Sequence, residues 1–596
     1  MGLTGDRLEE ALKLKGTNTL TSATEIGQGE AGKLVAKYKE VLKTKYERSY
    51  AIKRVLITLL KGSELEQALQ EYVKRSLEKG VPSLGSDLMS LVTNKGGVKV
   101  KSPKEIKEHD MFKVIEKVIG GSVSTLTGTP QMWAKYVKVQ QLEVTGMYEE
   151  ALTLLEECIS VVEDPKEAVD LHERKGRLLK LMGDIEGACE VLDKARESDL
   201  ADRYINNKTT KYLLRAGKEE QAEKTIGLFT RHESNAVNNL FEMQCSWFEL
   251  EYARAMQSKE DYGRALKKYA AVDQHFQDFA EDQFDFHNYC VRRVTLRSYV
   301  AILKLEDHIW DHKLWANAAV GAVKCYLWAL DNPSAAAGGD GGEVDFSKMS
   351  GTEKKKAKHA ERKRKKKEEE KKKREEEEKK GKEKEGGEKD EKKEEGKKEE
   401  YVDPDPKGLK LLEKDAMKEC ERYVDMMKLH CPDNLETWLT RGKVYLRKEG
   451  DAAVKELCSC IAKGKELDGG DERVWELIVE AGIKAGKEGW GEEWVKANGG
   501  GVGTVGEEVE EMIKVDGLGE LGLKFKVSLM KMSKATGARG EKECGKFVLE
   551  GGLDAEGGHL WKNVVMARAG LEGVGDKEGV KSWEDLAKKK FGRAKW

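Results

Sequence analysis

The chain has 596 residues, enough for several domains or one extended array. Charged residues make up 36% of it, yet base and acid nearly cancel at a net −2, so the overall charge points to no partner and any electrostatic role must come from local segregation. No apolar run is long enough to span a bilayer, which excludes a membrane-spanning helix and predicts a soluble protein.

The opening, MGLTGDRLEE, carries no apolar signal region, and Asp6 stands where a myristoylation signal needs Ser or Thr. The expected location is therefore the cytoplasm. The ten cysteines form no Cys-x-x-Cys pair and read as small core residues of a reduced protein. Residues 1–45 give a poorly defined N-terminal segment, and 46–130 read as helical repeats. No proline lies between Pro165 and Pro333, and Leu, Ala, Glu and Lys are abundant there, as in helix.

Residues 131–332 carry an internal repeat. Gly146, Gly183 and Gly217 each precede an alanine by five residues, namely Ala151, Ala188 and Ala222. Four residues further on stand Leu155, Leu192 and Ile226, and three beyond those Cys158, Ala195 and Phe229. Ala265, Tyr269 and Val272 make another copy, with Glu260 in the glycine's place. Ala453, Leu457 and Cys460 repeat the spacing, with Gly450 displaced. Positions i, i+4 and i+7 share one helix face, and a glycine before them permits a tight turn. The first three glycines are thirty-seven and thirty-four residues apart, near the tetratricopeptide period. The expected fold is all-α: a tetratricopeptide-repeat superhelical solenoid interrupted by a long charged helix or disordered segment.

That interruption occupies 333–406. A Gly- and Ala-rich connector leads to a run from Lys354 to Lys367 with ten cations and one acid, Glu361. Acid-before-base pairs follow, such as Glu368 with Lys372, which would support an isolated helix of about 40 Å. The remainder reads as disordered. Helical repeats resume over 407–495, and 496–596 form a glycine-rich helical region.

The stretches LADRYINNKTTKYLLRAG, LFEMQCSWFELEYARA and EDQFDFHNYCVRRVTLRSYVAILKLED, with LEKGVPSL and MSGTEKKKAKHAERKRKKK, resemble the auxiliary, non-catalytic subunit of the N-terminal acetyltransferase A complex. The resemblance runs from Tyr46 to Trp490 and is densest between Gln131 and Pro333. It implies a scaffold that wraps a catalytic N-terminal acetyltransferase subunit and carries it to the ribosome. It also implies a small regulatory subunit, and inositol hexakisphosphate bound near the catalytic subunit as a structural ligand. No intrinsic cofactor is expected, and the chain itself is expected to be no enzyme. Family members carry further repeats before the point matching Tyr46, and the glycine-rich end departs from them.

Three groups of residues are candidates for binding. On a helix from Leu200 to Gly217, Tyr204, Lys208, Lys211 and Arg215 form one stripe, with Arg203 at its edge and Ile205, Thr209, Tyr212 and Ala216 on the next. The first stripe suits a polyanion; a solvated basic face or salt bridges to a neighbouring repeat are the alternatives. Arg293 and Arg297 are placed on one helix face, to anchor acidic groups of a partner or to pair with Asp282, Asp285 or Asp307. In the basic run, Lys354, Lys355, Lys356, Arg362, Lys363, Arg364, Lys365, Lys366 and Lys367 suit ribosomal RNA through counterion release. Arg362–Lys367 also reads as a nuclear import signal.

Enzyme signals fail on their surroundings. GQGEAG and GVGTVG follow no strand, and HIWDH has Ile309 where a zinc protease needs Glu. The sequence therefore predicts a scaffold of an N-terminal acetyltransferase complex, anchored to the ribosome. The alternative is a tetratricopeptide adaptor for chaperone or RNA-processing assemblies.

Overall fold

The computed structural model describes residues 28–44, 46–93, 103–165, 168–231, 236–336 and 405–468, with short pieces within 471–484 and 567–590. The basic run and most of the glycine-rich end lie outside them. Among the described residues every regular element is a helix, as the repeat predicts. The chain divides into two compact units: residues 1–229 with 433–596, and residues 230–432.

In the first unit the principal helices are α1 (Gln28–Thr44), α2 (Tyr50–Leu59), α3 (Gly62–Glu78), α4 (Leu84–Thr93), α5 (Asp110–Thr125) and α6 (Gly128–Val144). They are followed by α7 (Tyr148–Ser160), α8 (Val169–Leu181), α9 (Ile185–Ser198), α10 (Arg203–Arg215) and α11 (Glu219–Gly227). The last six form three hairpins, and each hairpin packs on the next, α7 against α8 and α9 against α10. The repeat residues make those contacts. Ala151, Leu155 and Cys158 are buried, as are Ala188, Leu192 and Ala195, then Ala222 and Ile226. Burying one such Leu or Ile contributes roughly 1.5–3 kcal/mol. Gly176 of α8 lets the stack close, because a Cβ there would lie 2.9 Å from Leu192 Cγ.

The glycine position is a left-handed helix stop. Gly183 has φ 87°, and the next residue's amide, Asp184 N–H, donates to Leu179 O at 2.9 Å. The same closure follows Gly146, Gly217 and Glu260. Glu260, a non-glycine, adopts φ 61° there and points to solvent. A side chain in that region costs about 1–2 kcal/mol, against about 0.5–1 kcal/mol of extra chain entropy for glycine. Glu260→Gly is therefore expected to stabilise the second unit by about 0.5–1 kcal/mol, read as a raised urea midpoint with unchanged slope.

The second unit contains α12 (Ser246–Ser258), α13 (Tyr262–Glu281), α14 (Gln283–Arg293), α15 (Leu296–Glu306), α16 (Lys313–Asp331) and α17 (Ala416–His430). α12 pairs with α13, α16 packs on α13, and α17 packs on α16. After the charged segment the chain returns to the start of α13. Lys267 Nζ donates to Asp405 O at 2.8 Å, and a Cβ on Gly263 would lie 2.3 Å from Lys407 O. Only a glycine leaves room for that crossing. In the first unit's later part, α18 (Leu435–Tyr445) and α19 (Asp451–Asp468) form another hairpin, with Ala453, Leu457 and Cys460 buried.

Candidate functional site

Helix α10 starts on Asp202, whose carboxylate accepts from Tyr204 N–H at 2.7 Å. Ile205, Thr209 and Tyr212 are buried and Ala216 is half-buried, so the core stripe expected from the sequence is in place. Two polar anchors fix the helix between its neighbours. Thr209 Oγ1 donates to Leu192 O at 3.2 Å, and Asn206 Nδ2 donates to Thr225 O at 3.0 Å. The other stripe is thereby turned outward: Arg203, Tyr204 and Arg215 are exposed, Lys208 and Lys211 half-buried.

The outward residues divide into three parts. Glu173 on α8 accepts from the Tyr204 hydroxyl at 3.0 Å and pairs with Lys208 at 3.2 Å. Part of the basic stripe is thus tied to the adjacent repeat, one of the alternatives the sequence left open. Burial, with the nearby Glu173 carboxylate, raises the Tyr204 phenol. Arg203 stands apart, its guanidinium 5.4 Å from the Phe229 ring centre. It is one end of a thirteen-residue helix and Arg215 the other, which sets them roughly 18 Å apart. The C-terminal half gathers more charge. Arg215 lies 5.9 Å from the Tyr212 ring centre, and Lys180 from α8 lies 5.4 Å from the same ring.

Lys180 and Arg177 belong to the same cationic cluster, and reading α10 alone misses them. Lys180 is half-buried, and its ammonium is pushed down to about 8 by burial, then by Arg215, Arg177 and Lys208, with Glu143 opposing them. Glu143 on α6 is largely buried and already holds Arg174 at 2.9 Å and also Arg177. Lys208, Arg215 and Arg177 act on the Tyr212 phenol together, with Glu173 opposing them. The signal was present in the repeat register. Lys208 and Lys211 precede Gly217 by nine and six residues, and Arg174 and Arg177 precede Gly183 by the same offsets. Equivalent faces of stacked hairpins thus bring these cations together. Such a cluster can hold a polyphosphate by charge-assisted hydrogen bonds. Among the described residues no group of three or more His, Cys, Asp or Glu side chains could hold a metal ion.

Arg293 and Arg297 require a correction. The sequence placed them on one helix face, but the chain breaks between them. Val294 is extended, and Thr295 caps a new helix by accepting from Ser298 N–H at 3.3 Å. Both arginines are exposed, and neither pairs with Asp282, Asp285 or Asp307. They sit on either side of the turn of the hairpin α14–α15. His287 holds that hairpin together, with Nδ1 3.1 Å from the Tyr299 hydroxyl and Nε2 3.2 Å from Glu306 Oε2. Tyr289, Val291, Leu296, Val300 and Leu305 are each exposed on it, and α15 buries no residue among those described. The basic-run candidates, Lys354 to Lys367, lie outside the described residues.

Comparison with known proteins is consistent from sequence to fold. The family model for the N-terminal acetyltransferase A auxiliary subunit matches residues 10–459. The chain is 38% identical over 418 residues to the N-terminal acetyltransferase A complex auxiliary subunit NAA15 of Arabidopsis thaliana, a match spanning 70% of this chain and 45% of that protein. It is 33% identical over 331 residues to the human N-alpha-acetyltransferase 16, NatA auxiliary subunit, spanning 54% of this chain and 37% of that protein. The chain thus spans less than half the length of these two relatives. A solved structure of Naa15/Naa10 bound to HypK-THB is similar at a TM-score of 0.57 and 26% identity, over 78% of this chain and 58% of that one.

Proposed function

The chain belongs to the N-terminal acetyltransferase A auxiliary-subunit family, and from that premise we propose that it is a non-catalytic scaffold for a separate N-terminal acetyltransferase, acting in the cytoplasm. The observation that carries this reading is the hairpin α14–α15. It exposes Tyr289, Val291, Leu296 and Val300, carries Arg293 and Arg297 beside its turn, and leaves one helix with nothing buried. Exposed apolar surface of this kind marks a protein contact, and cations at its rim steer an acidic partner. The catalytic subunit seats there, and a small regulatory subunit completes the assembly. The related structure of Naa15/Naa10 bound to HypK-THB supports both partners. Co-expression with candidate catalytic subunits, followed by size-exclusion and an acetylation assay, tests the reading. Elution of this chain apart from every such enzyme would reject it.

The cluster of Arg177, Lys180, Lys208, Lys211 and Arg215 holds inositol hexakisphosphate as a structural ligand, and Arg203 lies away from it. Replacing Arg215 with Gln is expected to weaken that ligand about tenfold, with a shallower salt dependence; Arg203→Gln should change little. Isothermal titration at two salt concentrations measures both.

Lys354–Lys367 anchors the assembly to ribosomal RNA by counterion release, so that the enzyme works where nascent chains emerge. Deleting the run should lower ribosome co-sedimentation and flatten its salt dependence. Unchanged co-sedimentation would remove that role.

A further inference from the structure

We propose that Lys180 is a lysine acylation site, modified by acyl thioesters that carry phosphate groups, which the cations around it receive. The proposal rests on geometry. Lys180 is half-buried at the end of α8, and it makes no ion pair among the described residues. Its ammonium faces the Tyr212 ring. Arg177 acts on it from its own helix, and Lys208 and Arg215 act on it from α10. Glu143 on α6 is the carboxylate that opposes them, and it is already bonded to Arg174 and Arg177. Its neighbours Lys208 and Lys175 differ, since they form ion pairs with Glu173 and Glu156 at 3.2 and 2.9 Å.

Burial and the surrounding cations bring the Lys180 amine down to about 8, so at pH 7 roughly a tenth is free base, far more than for an ordinary lysine. Free base is the nucleophilic form. The Nζ lone pair attacks the thioester carbonyl, a C–N bond forms, and the C–S bond breaks. The thiolate leaves and takes up the proton that the nitrogen loses. The product is a neutral amide. One charge is thus removed from a crowded cluster, and the cluster's affinity for polyanions falls. The phosphate preference rests on the polyanion reading given above; the nucleophile does not.

The test incubates the full chain with acetyl-CoA, and separately with the phosphate-free thioester S-acetyl-N-acetylcysteamine. Peptide mass spectrometry then follows individual lysines with pH. Lys180 should be acetylated at least about tenfold faster than Lys175, with a rate that levels off above about pH 8. Acetyl-CoA should outpace the phosphate-free donor at Lys180 but not at Lys175, and inositol hexakisphosphate should protect Lys180. Arg215→Gln should move the levelling-off to higher pH, a response that mere accessibility would not give. Modification of Lys180 at the rate of Lys175 with both donors would overturn the proposal. Equal rates with the two donors at Lys180 would overturn its phosphate part. No acetyltransferase is present, so failure here is distinct from failure of the scaffold reading.

Discussion

Leu296→Asp together with Val300→Asp is expected to abolish recovery of the catalytic subunit, weakening the complex by at least about a hundredfold. Two carboxylates placed inside an apolar contact must be desolvated without partners, and losing central anchors typically costs 2 kcal/mol or more each. The substitutions leave the fold alone, because Leu296 is 78% exposed and α15 buries none of its residues. The urea unfolding curve should therefore overlay that of the unmodified chain. Arg297→Glu acts differently. Reversing a rim charge slows association and changes its salt dependence more than it changes dissociation. Undiminished binding by the double variant would place the docking surface elsewhere.

How far the sequence reads into this structure depends on whether the governing contact is local. The repeat is local: a glycine, an alanine five residues later and two apolar positions on one face. The four copies before the charged segment emerge as hairpins closed by the same left-handed turn, while the copy at Gly450 forms a hairpin with a longer connection. Even the substitution of Glu260 for glycine proves to be a residue held at φ 61°. The break after Arg293 is also local, but its signal is weak. Thr295 caps α15, yet Ser298 stands where a capping box would place Glu or Gln, so the run reads as continuous helix. The basic site reads only in part. Tyr204, Lys208 and Arg215 are visible on one stripe, but the partners that give the site its character, Glu173 and Lys180, come from the preceding hairpin. Stacking register, rather than helix periodicity, supplies them. The return of the chain to Gly263 is not legible at all, because a backbone contact with Lys407 across the charged segment leaves no local pattern.

Asp273→Ala is expected to destabilise the second unit by about 3–5 kcal/mol. Asp273 is buried on α13 and accepts from two neighbouring helices. The Trp315 indole on α16 donates at 2.9 Å, the Tyr423 hydroxyl on α17 at 3.3 Å, and Arg422 lies at 3.1 Å. The largest part of the cost comes from the indole and the phenol, because each is buried and each would lose its acceptor. An unsatisfied buried donor costs about 1–3 kcal/mol. Arg422 adds little, since its side chain is 38% exposed and water can take over its hydrogen bonds. Tyr423→Phe should accordingly cost only about 1 kcal/mol, because it removes the donor along with the need for an acceptor. Urea unfolding followed by tryptophan fluorescence separates the two variants. The same loss reaches function by another route than the Leu296 and Val300 pair. Asp273 ties α16 and α17 to α13, whose chain continues directly into α14, so loosening this core removes the base on which the docking hairpin stands. Asp273→Ala should therefore lose the catalytic subunit and lower the urea midpoint together, whereas the hairpin variant loses the subunit alone. Retention of the subunit by a measurably destabilised Asp273→Ala chain would show that the hairpin holds its shape without the core beneath it.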